Sequence, residues 1–168
     1  MIGQNGIGIQ LKKHLCLFAA VVCISAYSGG CDDDADNSLE GSVTDNYDMS
    51  FDKVRIRLYP DSALSVEYIK NGEAGEKIPL RVTINYPELQ LAAGMDYDLT
   101  TAAATISRGV GYDSLPLPDL VSGTVHLSEF NAAAGSTVKG DFESVYTATT
   151  GNKINLRGTF SSKLERVE

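Results

Sequence analysis

The chain has 168 residues, 14 Lys+Arg against 22 Asp+Glu, a formal charge of −8, 8% aromatic residues and no tryptophan. No basic cluster interrupts the acidity, which excludes nucleic-acid binding by phosphate neutralisation and argues against direct attraction to anionic headgroups. Three cysteines and two histidines supply neither a disulfide framework nor a thiolate and imidazole zinc site, so no metal or cofactor is expected.

Taken in chain order, residues 1–30 read as an export signal. Lys12, Lys13 and His14 form a positive flank, and no acid occurs before Asp32. "LCLFAAVVCI", residues 15–24, is an uninterrupted run of ten apolar residues. A bilayer-spanning helix needs about twenty, so the run has the size of a signal-peptide core instead. Small residues follow it: Ser28, Gly29 and Gly30, and then Cys31.

Residues 12–31 resemble the lipobox signal of bacterial lipoprotein precursors. Gly29 and Gly30 suit the two small-residue positions before the cysteine, while Ser28 stands where the pattern favours leucine. The resemblance implies that the Cys31 thiol is alkylated with diacylglycerol, that a peptidase cuts just before it, and that the new amino terminus is acylated. Cys16 and Cys23 lie inside the signal, so Cys31 is left as a lone sulfur, which lipidation accounts for. The competing reading is an ordinary secretory signal cut after Ala26 or Gly30. Each buried methylene contributes roughly 0.8 kcal/mol, and two or more chains anchor stably. The expected partner is therefore a membrane, held through lipid on Cys31, and the expected location is the bacterial cell envelope, on its periplasmic or surface face. Aspartate directly after the cysteine retains lipoproteins in the inner membrane of some bacteria, a role the resemblance extends to Asp32.

"CDDDADNSLE", residues 31–40, is expected to be a disordered acidic tether, because like charges repel and few apolar residues offset the ordering entropy. It does not form an EF-hand loop: counting from Asp32, Asn37 and Val43 stand where glycine and glutamate are required. The signal holds two lysines and no acid, so its removal takes the formal charge from −8 to −10.

Residues 41–168 suffice for one domain with its own core. In "KVRIRLY", Val54, Ile56 and Leu58 alternate with Lys53, Arg55 and Arg57; in "KIPLRVTINY", Ile78, Leu80, Val82 and Ile84 alternate with polar residues and Pro79. Period two with one apolar face predicts antiparallel strands with one solvated side. "SALSVEYIKNG" fits either periodicity, and its β-branched content with an Asn71-Gly72 turn signal favours a strand. Toward the carboxyl end, Val125 and Leu127, then Val138, Phe142 and Tyr146, then Ile154, Leu156, Phe160 and Leu164, predict three strands in a meander. With "YDL" and "AATIS" the total is seven to nine. The expected fold is all-β: an antiparallel β-sandwich or a small β-barrel. Gly-Thr at 123–124 and 158–159 loosely resembles the strand endings of β-sandwich domains in bacterial lipoproteins, which implies no activity.

Catalytic chemistry is hard to assemble. His126 is the only histidine after the signal and alternates with Val125 and Leu127, which predicts a surface strand position. No serine sits in a G-x-S-x-G frame, and "RGVG" at 108–111 lacks the G-K-[ST] of a phosphate loop. No catalytic residue is assigned, and a non-enzymatic domain is expected. Binding has one candidate segment, "SRGVGYDSLPLPDLVS" at 107–122, where Tyr112, Leu115, Leu117 and Leu120 are interspersed with glycines and prolines. Long loops in compact domains are often functional. This one either docks a partner, such as an envelope protein, or folds back over an open sheet edge. Exposed tyrosines stacking on a glycan give the second reading, a carbohydrate or small-ligand module.

Overall fold

A computed structural model describes residues 37–59, 63–85 and 91–168. Among them are nine strands and no helix: β1 (Ser38–Glu40), β2 (Lys53–Tyr59), β3 (Ala63–Gly72), β4 (Gly75–Asn85), β5 (Met95–Asp98), β6 (Ala104–Ser107), β7 (Asp119–Glu129), β8 (Thr137–Thr147) and β9 (Lys153–Arg166). The alternating apolar segments thus form strands as their period predicts, and "SALSVEYIKNG" is a strand, β3.

The hydrogen-bonded path runs β5-β7-β8-β9-β2-β3-β4-β6, with β1 added beside β9. Its two ends, β5 and β6, are joined by only residues 99–103, so the sheet is nearly closed and barrel-like. One pairing departs from the expected antiparallel rule: β2 and β9 run parallel, from Ile56↔Leu164 to Leu58↔Arg166. The cause is length. β9 has 14 residues; residues 153–163 pair with β8, and the overhang crosses to β2.

Two boundaries move. Residues 38–40, expected in the tether, form β1 opposite Thr159, Gly158 and Arg157, and Ser161 N donates to Asn37 Oδ1 at 2.6 Å. The charged stretch is ordered there because an existing strand supplies the backbone partners that the segment lacks alone. Cys31 and the rest of the tether, like the signal, lie outside the described residues. The β3–β4 turn also falls two residues beyond its expected place. Asn71 and Gly72 pair with Glu76 and Gly75, and Gly75 takes the positive φ, 115°.

The inward faces meet in one core. Val54, Ile56, Leu58, Leu64, Val66, Leu80, Val82, Ile84, Val125, Leu127, Leu156 and Leu164 are all buried within it. On β8 and β9, glycine faces phenylalanine twice, Gly140↔Phe160 and Phe142↔Gly158. A Cβ on Gly140 would sit 2.5 Å from Phe160 Cζ, and one on Gly158 2.6 Å from Phe142 Cε1. Each ring fills the space a side chain would take, which lets the sheet bend sharply while its interior stays filled.

The outer face of β3 is buried too, which the alternation does not predict. Glu67 is 2% exposed because Arg55 and Arg81, its direct cross-strand neighbours, lie over it. Arg55 Nη2 is 2.8 Å from Oε2 and Arg81 Nη2 2.9 Å from Oε1, with Arg57 4.0 Å from the same carboxylate.

Candidate functional site

At one end of the sheet three connections converge around a cleft of about 720 Å³. Residues 41–52, between β1 and β2, bring Tyr47 and Asp48. The loop between β6 and β7 brings Arg108, Tyr112, Leu115 and Leu117. The β8–β9 turn and the start of β9 bring Thr149, Thr150, Asn152 and Ile154. Such a volume is typical of small-molecule sites.

Local chemistry explains each connection. Gly41 has φ 120°, and a Cβ there would lie 2.5 Å from Asn155 O, so only glycine lets the chain turn so close to β9. The turn that follows buries Val43 completely, and Tyr47 N donates to Val43 O, which sets the Tyr47 ring. The segment 108–111 lies flat on β4: Gly109 N donates to Ile78 O at 3.0 Å and Ile78 N to Val110 O at 2.9 Å. Gly111, with φ 84°, packs where a Cβ would meet Lys77 Cγ at 2.9 Å. The glycines of "RGVG" therefore serve a turn.

Arg108 is the central side chain. It is 8% exposed, and its guanidinium carbon sits 4.2 Å from the Tyr112 ring centroid and 5.4 Å from that of Tyr47. Nε donates to Pro79 O at 3.2 Å and Nη2 to Asp48 O at 2.9 Å. Nη1 makes no hydrogen bond to a described residue and is open to solvent in the cleft, since the buried side-chain atoms without a partner are Ser65 Oγ, Tyr146 Oη and Ser161 Oγ. No described carboxylate forms an ion pair with it. Burial weakens its hold on the proton, yet a guanidinium stays charged at neutral pH. Arg108 thus places a positive charge on the wall of the cleft, with the Asp48 carboxylate acting on it through space and no ion-pair partner among the described residues.

The Asp48 carboxylate faces elsewhere. Its Oδ2 accepts from Lys70 Nζ at 2.9 Å and from the Tyr112 hydroxyl at 3.0 Å, while Oδ1 accepts from the Ser50 hydroxyl at 2.6 Å. The Ser50 hydroxyl, then the Lys70 ammonium and the Tyr112 hydroxyl, hold it well below the ordinary carboxylate range. Burial and the bond to Asp48 push the Tyr112 hydroxyl up. Asp48 therefore fastens Tyr112, and with it the loop, to β3.

Tyr112, Leu115 and Leu117 line the cleft together. Leu120 does not: it belongs to β7 and lines a smaller neighbouring depression with Leu99, Ile106 and Tyr146. Leu117 and Leu120 pack against the core, whereas Leu115 is 59% exposed. Three tyrosines, Tyr68, Tyr97 and Tyr146, are core residues, and Tyr47 and Tyr112 each have the Arg108 guanidinium over the ring. His126 lies away from the cleft on β7, its Nδ1 2.6 Å from Asp96 Oδ1 on β5. Among the described residues no three His, Cys, Asp or Glu side chains are grouped to hold a metal ion. Sequence reading missed Arg108, Tyr47 and the 148–154 wall. The available signal was an arginine placed directly between a strand and a glycine-rich turn.

Comparison with known protein families, with curated proteins and with solved structures finds no match to this chain.

Proposed function

We propose that this chain is a lipid-anchored protein of the bacterial cell envelope whose β domain is a non-enzymatic binding or scaffolding module. Its partner in the membrane is lipid on Cys31, and its second partner, an envelope protein or a smaller ligand, docks at the cleft under the 108–118 loop. The observation that carries the binding half is Arg108 on the wall of that cleft, 8% exposed and with no ion-pair carboxylate among the described residues. A guanidinium so held can take a carboxylate from an occupant of the cleft.

We read the architecture as two packed layers sharing β9, a β-sandwich, with a small barrel as the alternative. A carbohydrate-binding module is the second reading for function, favoured by the polar rim of Thr149, Thr150 and Asn152.

Two measurements test the proposal. Labelling cells with an alkynyl fatty acid is expected to tag the wild-type chain and not Cys31→Ser; an untagged wild type overturns the anchor. A photo-crosslinking residue at position 115 is expected to capture a partner or ligand that the same residue at position 157, on the outer face of β9, does not. Equal capture from both positions overturns the binding half.

A further inference from the structure

We infer that the cleft takes a small amphiphilic carboxylate, one carboxylate on an apolar body, and that Arg108 binds the carboxylate. This deepens the binding reading and rests on the cleft being its site.

Three features of the cleft set the chemistry of the occupant. Its charge is complementary to an anion: Arg108 lines the cleft, is 8% exposed, and has no carboxylate partner among the described residues. The guanidinium is held at Nε and Nη2 by Pro79 O and Asp48 O and stacked between Tyr47 and Tyr112. Its plane is therefore fixed before any ligand arrives, and Nη1, which bonds no described residue, opens to the cleft. A planar carboxylate matches that fork, and a charge-assisted bond formed out of bulk water is among the strong ones.

The second feature is the apolar wall. Leu115, Leu117, Pro116, Pro118 and Ile154 flank the charge. A fully hydrated anion gains nothing from such a wall, whereas a hydrocarbon or aromatic body loses water there. The third is the single carboxylate among the described lining, Asp48, which is already engaged with Ser50, Lys70 and Tyr112. It neither neutralises Arg108 by an ion pair nor offers a free acceptor to a cationic ligand.

The test uses the full lipidated chain in nanodiscs, with 4-phenylbutyrate as probe and 4-phenylbutan-1-ol as its neutral counterpart; uptake into empty nanodiscs is subtracted. Backbone amide resonances of Tyr112, Leu115, Thr150 and Asn152 are followed by NMR. The acid is expected to shift them saturably, with the alcohol binding at least about tenfold more weakly. Arg108→Met is expected to remove that difference and Arg108→Lys to retain part of it. Because the acid-alcohol comparison is made on the wild type, it stands even if a variant does not fold. Equal affinity for acid and alcohol overturns the inference, and so does the absence of shifts at the four residues. Crosslinking from position 115 that still captures a partner while both probes fail ends this inference and leaves the broader binding reading intact.

Discussion

Two buried charges, Glu67 and Arg108, are handled in opposite ways. Glu67 is covered by Arg55 and Arg81 at 2.8 and 2.9 Å, with Arg57 beyond; its need for positive charge is met inside the sheet. Arg108 is also buried but is held by two carbonyl oxygens and two rings, with no carboxylate of the described residues in an ion pair with it. A charge paired on a sheet face serves the architecture, whereas the proposed binding role rests on a guanidinium that has no ion-pair carboxylate among the described residues.

The largest expected effect lies at the compensated end. Glu67→Gln leaves three arginines facing a neutral amide and should cost about 3 kcal/mol in urea unfolding. A change below about 1 kcal/mol would place the arginines in solvent instead and blur the contrast. At the cleft, Tyr112→Phe removes the hydroxyl that bonds Asp48 and should cost about 0.5–1 kcal/mol, with faster amide exchange in residues 109–115. Beside Glu67, Ser65 Oγ is buried with no hydrogen-bond partner among the described residues. Ser65→Ala should therefore leave stability unchanged or raise it by about 0.5 kcal/mol, and a loss would reveal a bond that the geometry lacks.

The smallest effect is a pH dependence. Asp48 is held well below its usual value of 3.8 by the Ser50 hydroxyl, Lys70 and Tyr112. Its folded-state value is depressed, so its contribution to stability is complete above the ordinary aspartate range and is lost as pH falls through the depressed value. A carboxyl-detected NMR titration should find the Asp48 midpoint below 3.8, and Lys70→Met should move it up. A midpoint at the ordinary value would detach the 108–118 loop from its fastening on β3.

The alternation of Val54, Ile56 and Leu58, or of Val138, Phe142 and Tyr146, made the strands legible because burial of one face imposes period two on neighbouring residues. β3 was legible as a strand but not as a strand covered on both sides, since Glu67 is buried by arginines on two other strands. The parallel pairing of β2 with the end of β9 left no local trace either: Ile56 meets Leu164 across most of the chain. The same separation hid the cleft. The loop residues Tyr112, Leu115 and Leu117 stood out by composition, but Arg108 acquires its meaning from Pro79 and Asp48, 29 and 60 positions away. Leu120 looked like part of that loop because its strand begins in a segment broken by Pro116 and Pro118.

The contrast between the two charges is tested most directly by the unfolding free energy of Arg108→Met measured without ligand. The account predicts a value within about 1 kcal/mol of wild type, since losing two hydrogen bonds to carbonyls is offset by relief of a partly desolvated charge that has no ion-pair partner among the described residues. A loss of about 3 kcal/mol or more, matching that for Glu67→Gln, would make Arg108 a structural residue and contradict it.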